Sequence, residues 1–104
     1  MSGIVMTNLA SGTLPTVVGT VATVPANSTA VNAVVYLYNT NPSSTQVYIY
    51  MNLSGVLNII TGRATIPPNG SASFNYLGMA AGESIAAYAS SAGVNYVVKA
   101  GIAT

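Results

Sequence analysis

Only three side chains in this 104-residue chain carry a formal charge, and they are the first candidates for chemistry: Arg63, Glu83 and Lys99. A single carboxyl group cannot form the acid and base pair that cleavage of a glycosidic bond requires. The chain contains no His and no Cys, so neither a Ser-His-Asp nor a Cys-His arrangement can form. We therefore predict no catalytic residues and no enzyme activity.

The same scarcity limits metal and cofactor binding. One Glu without Asp, His or Cys cannot supply the several ligands that a protein metal site needs. The glycines at 78 and 82 are too close together for a phosphate-binding loop, and no Lys follows them. We expect no metal and no cofactor. Glu83 is expected either to tether its own turn or to pair with Arg63 or Lys99.

The low charge also restricts the partners of the chain. Charged residues make up 3% of the sequence, against roughly 25% in ordinary soluble domains, and the net charge is +1. Two basic residues are too few for the phosphate contacts that nucleic acid binding requires. No apolar run is long enough to span a membrane, and the first basic residue, Arg63, comes too late for a signal peptide. We expect a building block of a protein assembly that is made in the cytoplasm.

The elements that must position any site are β-strands. Val, Ile, Thr and Tyr alternate with polar residues, and turn residues recur at short intervals. The pattern predicts strands at residues 17–24, 29–39, 45–53, 56–61, 71–77, 83–90 and 94–102. We predict an all-β fold, a single-domain antiparallel β-sandwich or jelly-roll-like barrel of about seven to eight strands.

Residues 1–14 stand apart from this pattern, whereas residues 15–104 form the predicted sandwich domain. The segment contains the apolar stretch Ile4, Val5 and Met6 between glycine and serine residues. It is interpreted as a loosely ordered terminus or an edge strand. The alternative is an arm that adds a strand to the sheet of a neighbour, in which case these three residues belong to an interface.

Four tyrosines alternate along two neighbouring predicted strands. Tyr36 and Tyr38 lie in the first strand, and Tyr48 and Tyr50 lie in the second. Residues i and i+2 of a strand share a face, so pairing through the turn at residues 40–44 would place all four rings together and the aliphatic residues opposite. We interpret this face as a protein interface. A second buried core face and a solvated aromatic ladder are the alternatives.

One internal similarity links residues 24–30 (VPANSTA) with residues 66–72 (IPPNGSA). Each reads as the end of a strand, a proline corner, an Asn turn and a new strand. Two copies are too few for a solenoid. Equivalent corners of a sandwich account for the pattern better, and chance is the alternative.

These corners also carry a resemblance. The segments ATVPANSTA (22–30), YLYNTN (36–41), IPPNGS (66–71) and MAAGESI (79–85) resemble small β-rich structural proteins of tailed bacteriophages, capsid decoration or tail-type proteins. The resemblance implies a non-enzymatic virion protein, most simply a capsid decoration (cement) protein on the capsid surface. The implied partners are the major capsid protein or other virion proteins, and further copies of the chain, for example in a trimer. A tail, fibre or adaptor module and a carbohydrate-binding or surface-binding β-module are the alternatives.

Overall fold

The computed structural model describes the backbone of residues 4–53 and 56–103, and their side chains except at positions 31, 53, 56–61 and 77. The described backbone contains eight strands. In chain order they are β1 (Ile4–Thr13), β2 (Gly19–Thr23), β3 (Thr29–Asn39), β4 (Thr45–Leu53), β5 (Val56–Ile66), β6 (Ser71–Met79), β7 (Ser84–Ala89) and β8 (Val94–Ala103). This part of the chain has no helix capable of crossing a bilayer.

The strands form two four-stranded sheets in which every pairing is antiparallel. Sheet A has the order β1-β8-β3-β6, and sheet B has the order β2-β7-β4-β5. Every connection between consecutive strands crosses from one sheet to the other, except that from β4 to β5. This strand order is that of a jelly roll, which confirms the predicted fold class.

The period of two along each strand decides which side chains fill the space between the sheets. In β3 and β4, one central strand from each sheet, the inward residues are fully or nearly fully buried: Ala33, Val35 and Leu37 of β3, and Val47 and Ile49 of β4. Full burial of one such aliphatic side chain contributes about 1.5–3 kcal/mol. This core is continuous across both sheets, so a chain without cysteine has an apolar source of stability.

The strands β3 and β4 do not pair with each other, so the predicted hairpin is wrong. β3 pairs with β6 and β8, whereas β4 pairs with β5 and β7. The connection between them crosses to the other sheet beside the buried Asn39. The Asn39 Nδ2 donates to the backbone oxygens of Ile66 at 2.9 Å and Ser43 at 3.0 Å, and its Oδ1 accepts from the N–H of Asn41 at 2.9 Å. One buried amide therefore joins two corners of the sandwich.

The two similar segments of the sequence form equivalent corners. Asn27 and Asn69 adopt the left-handed conformation, with φ of 63° and 57°, which Asn tolerates better than most residues. Each corner leads from a strand of sheet B into a strand of sheet A. The residue that ends the incoming segment, Val24 or Ile66, is buried in both cases. The repeated pattern thus reflects a repeated position in the fold.

Two findings concern the strand boundaries, and the first agrees with the edge strand that was one interpretation of residues 1–14. The N-terminal segment forms β1, which pairs along its whole length with β8 and lies at an edge of sheet A. Its register shifts between Asn8 and Ala10, so Leu9 is the extra residue of a β-bulge. β5 continues to Ile66, beyond the predicted residue 61. Residues 1–3 and the predicted turn at 54–55 lie outside the described residues.

Candidate interaction surfaces

The three charged residues lie on different elements: Arg63 in β5, Glu83 in the turn before β7 and Lys99 in β8. Glu83 tethers its own turn, because its Oε1 accepts from the backbone N–H of Ala80 at 2.8 Å and its own N–H donates to the Ala80 oxygen at 3.1 Å. This is one of the two roles predicted for it. Within the described part of the chain, no three His, Cys, Asp or Glu side chains gather into a group. The candidate interaction surfaces are the outer faces of the two sheets and their edges.

The outer face of sheet B carries a stack of three tyrosines. Tyr48 of β4 lies directly opposite Tyr88 of β7, and their ring centroids are 4.8 Å apart with an interplanar angle of 19°. Tyr50 also stacks on Tyr88, with ring centroids 6.1 Å apart and an interplanar angle of 19°. The pKa of the Tyr88 hydroxyl is raised, mainly by a hydrogen bond with Tyr50 and to a smaller extent by desolvation. We call these three residues the tyrosine stack.

Polar groups surround the tyrosine stack. The Tyr48 hydroxyl donates to Gln46 Oε1 at 2.8 Å, and Asn52 Nδ2 donates to Ser84 Oγ at 3.2 Å. An open depression of about 310 Å³ lies beside the stack and is lined by Gln46, Val47, Tyr48, Arg63, Ala64 and Thr65. Since the rings of Tyr48 and Tyr88 cover each other, these faces are not free to stack on a sugar.

The outer face of sheet A is more exposed and more apolar. Tyr36 and Tyr38 are 48% and 44% exposed, and Tyr36 lies opposite Val97 of β8. An open depression of about 210 Å³ is lined by Tyr36, Leu37, Tyr38, Ser71, Asn95, Tyr96 and Val97. Lys99 is the one charged residue in the strands of this sheet. We call this surface the sheet A face.

The N-terminal end of β1 extends the sheet A face. Ile4 and Met6 lie over Gly101, where an added Cβ atom would be 3.0 Å from Ile4 Cγ2 and 3.7 Å from Met6 Sδ. Val5 lies opposite the buried Ile102, on the inner side of the sheet, yet it is 65% exposed. β2, the facing edge strand of sheet B, has only five residues, so little of sheet B is available to cover this end. Apolar side chains are therefore accessible on both sides of β1.

The four tyrosines of the predicted interface do not share one surface. Tyr36 and Tyr38 belong to sheet A, whereas Tyr48 and Tyr50 belong to sheet B, so the two pairs point away from each other. None of the four is in the buried core, so a second core face is also excluded. Tyr88, which completes the stack, was not predicted because β7 is brought beside β4 only by the topology.

No protein-family model matches the sequence, and no curated protein matches it. A chain from the disulfide-linked pili of Bacillus endospore appendages is similar in structure, with a TM-score of 0.63 and 15% sequence identity over 100% of this chain and 90% of that chain. A chain from the acid-stable capsid of Helicobacter pylori bacteriophage KHP30 has a TM-score of 0.55 and 15% identity, over 100% of this chain and 94% of that chain.

A chain of the cyanophage Pam1 capsid asymmetric unit has a TM-score of 0.44 and 15% identity, over 98% of this chain and 80% of that chain, and is too dissimilar to carry an argument. At such low identity, the similarity to the first two shows a common fold alone. Structures with this fold thus include a phage capsid chain and a pilus chain. The pili are described as disulfide-linked, whereas this chain contains no cysteine.

Proposed function

We propose that this protein is a non-enzymatic structural protein of a phage particle, a decoration protein that binds the outer surface of the capsid lattice. The observation that carries the proposal is the sheet A face, on which Tyr36, Tyr38, Ile4 and Met6 are exposed and Lys99 is the one charge. Aromatic residues and Met are enriched in protein interfaces, and charged residues are depleted from their cores. The protein attaches through this face and stabilises the lattice by burying it.

The low charge of the whole chain supports an assembled state. A free domain usually keeps itself dispersed with charged side chains of both signs, but only three are present among these 104 residues. A standard interface buries about 1,600 Å² in total. Repeated copies on a closed shell add avidity to each such contact. A surface of Ser, Thr, Asn and Tyr is suited to a protein whose surface is buried against neighbouring subunits of a capsid.

The fold adds further support. The KHP30 capsid chain is of comparable length, since the alignment covers nearly all of both chains, so a capsid can contain a jelly roll of this size. The pilus chain supports a second candidate, a tail, fibre or adaptor module in which copies repeat along an axis. Such a module would need contacts other than disulfides, because the chain has no cysteine.

The copy number of the protein in purified virions tests the proposal. Quantitative mass spectrometry gives the ratio of this chain to the major capsid protein. We expect a ratio set by the capsid lattice, and we expect purified protein to bind again to particles from which it has been stripped. A few copies per particle would indicate the tail or fibre. Absence from the particle would refute both structural roles.

A further inference from the structure

The outer edge of β1 is a long strand edge whose protection is limited to a β-bulge at Leu9. An edge strand presents unpaired backbone N–H and C=O groups, and proteins commonly protect such edges with Lys, Pro or short strands. β1 has ten residues, Ile4–Thr13, and contains neither a charged residue nor a proline. Its one irregularity is the bulge at Leu9.

The other edges differ from β1. β2 has only five residues, and β5 carries Arg63. The inward side of β6 is packed against β5, because a Cβ atom added at Gly62 would lie 2.8 Å from Cδ1 of Phe74. β6 has nine residues and also lacks charge and proline. Among the described side chains, β1 differs from it in carrying three exposed large apolar residues, Ile4, Val5 and Met6.

We propose that two copies of the protein pair through β1, antiparallel and related by a two-fold axis, so that their two A sheets join into one eight-stranded sheet. Antiparallel pairing through identical edges is the simplest closed contact between copies, since each strand supplies the same donors and acceptors as its partner. The contact does not depend on attachment to a capsid, and it is measurable on the protein alone.

The bulge makes this pairing self-complementary. Before Leu9 the outward residues have even numbers, as at Ile4 and Met6, and after it they have odd numbers, as at Ser11 and Thr13. A two-fold register that overlaps all of β1 places Ile4 opposite Thr13 of the second copy and Met6 opposite Ser11, so outward residues oppose outward residues on both sides of the bulge. At the centre, Asn8 lies opposite Leu9, the bulged residue that packs against the core. Without the change of phase, a full overlap of a ten-residue strand would pair outward residues with inward ones.

The same register covers the exposed inner side of β1. Val5 then lies opposite Gly12 of the second copy, where no side chain blocks it, and the ring of Tyr96 lies beside that glycine. In this chain an added Cβ at Gly12 would be 3.5 Å from the Tyr96 ring. Pairing of the edges covers Val5, which is 65% exposed in the single chain, and leaves Ile4 and Met6 on the outer face of the joined sheet.

A disulfide cross-link tests this register. The chain has no cysteine, so the double substitution Met6→Cys with Ser11→Cys introduces the only two thiols. Both side chains are exposed, so the fold should persist, which circular dichroism checks. Five residues along one strand separate the two positions by about 17 Å, far beyond the Cα separation of about 7 Å that a disulfide tolerates. Any disulfide between positions 6 and 11 must therefore join two copies.

The single variants Met6→Cys and Ser11→Cys are the matched controls. In the proposed register no residue lies opposite the same residue of the second molecule. We therefore expect most of the double variant to form a covalent dimer on mild oxidation, and each single variant to stay uncross-linked. Sedimentation of the unmodified protein should show a dimer. A monomeric unmodified protein, equal cross-linking of a single variant, or a double variant that does not cross-link would each overturn the proposal. If Met6→Cys cross-links only to a capsid protein and never to a second copy, the edge of β1 binds the capsid protein and the proposed pairing is wrong.

Discussion

Replacement of Asn39 by leucine tests whether one buried amide holds an end of the sandwich together. Asn39 is completely buried. Its side chain donates to the Ile66 oxygen at 2.9 Å and accepts from the Asn41 N–H at 2.9 Å, in addition to weaker contacts at Pro67 and Thr45. Leucine has the same number of side-chain heavy atoms with the same branching, so the substitution removes the hydrogen bonds without opening a cavity.

The expected loss follows from the two hydrogen bonds of 2.9 Å, with Ile66 and Asn41. The third short bond, at 3.0 Å, is made to the backbone oxygen of the exposed residue Ser43, which water can reach. A buried polar group left without its partner costs about 1–3 kcal/mol, so two groups cost about 2–6 kcal/mol. The apolar gain from leucine offsets part of this, and we expect the free energy of unfolding to fall by about 3 kcal/mol. That is a large part of the 5–15 kcal/mol typical of a whole domain. At about 4–8 °C per kcal/mol for a domain of this size, the melting temperature should fall by about 12–24 °C.

Thermal and urea unfolding followed by circular dichroism measure this loss. The matched control is Asn75→Leu on the exposed face of β6, for which a change within about 0.5 kcal/mol is expected. If Asn39→Leu costs less than about 1 kcal/mol, or no more than the control, the amide is not what holds the corners and the reasoning is refuted.

Asn39→Asp adds a dependence on pH. An aspartate here replaces a donor by an oxygen facing carbonyl groups, so burial raises the pKa of its carboxyl above the unfolded value of about 3.9. The folded variant then binds its proton more tightly than the unfolded chain does. Its stability is greatest below the unfolded pKa and should fall as the pH rises through the folded one. If the stability of Asn39→Asp instead rises as the pH increases above about 3.9, the pKa of this carboxyl is not raised in the folded state and the reasoning is wrong.

Three further predictions concern the surfaces and the sheet edges. Tyr36→Ser should change the free energy of unfolding by less than about 1 kcal/mol and should weaken capsid binding by about 2 kcal/mol, roughly thirtyfold. Tyr48→Ser should instead lower the free energy of unfolding by about 0.5–1.5 kcal/mol, because it removes a stacking contact. Calorimetry measures the first quantity and a particle-binding assay measures the second. Gly62→Ala should cost about 1–3 kcal/mol by overpacking against Phe74, measured by urea unfolding. Because the pKa of Tyr88 is raised in the folded state, the unfolding free energy should fall above pH 10.0, less steeply in Tyr88→Phe.

Local chemistry made much of the fold predictable. The period of two in β3 and β4 identified both strands at their observed bounds and their inward residues from Ala33 onward, because alternation is a property of a single strand. The buried Ala30 was missed, since the register of β3 shifts between Ala30 and Asn32. Proline and Asn at residues 24–30 and 66–72 predicted two equivalent corners, because the turn preferences of these residues are also local. β1 was less evident, since the bulge at Leu9 interrupts its alternation, and the later half of β5 was missed where Gly62 and Arg63 replace the apolar pattern.

The interaction surfaces were only partly predictable. The absence of reactive and metal-binding residues follows from composition alone, as does the expectation of a protein that buries its surface in an assembly. Which tyrosines lie together does not follow, because it depends on pairing between distant strands. A short connection after Asn39 can close a hairpin or cross between sheets, and the choice rests on contacts with Ile66 and with β6 and β8, far away in the chain. The sequence by itself determined the strands and their inward faces. Only the tertiary structure decided that Tyr36 and Tyr48 lie on opposite sides of the molecule, since the pairing that places them is non-local.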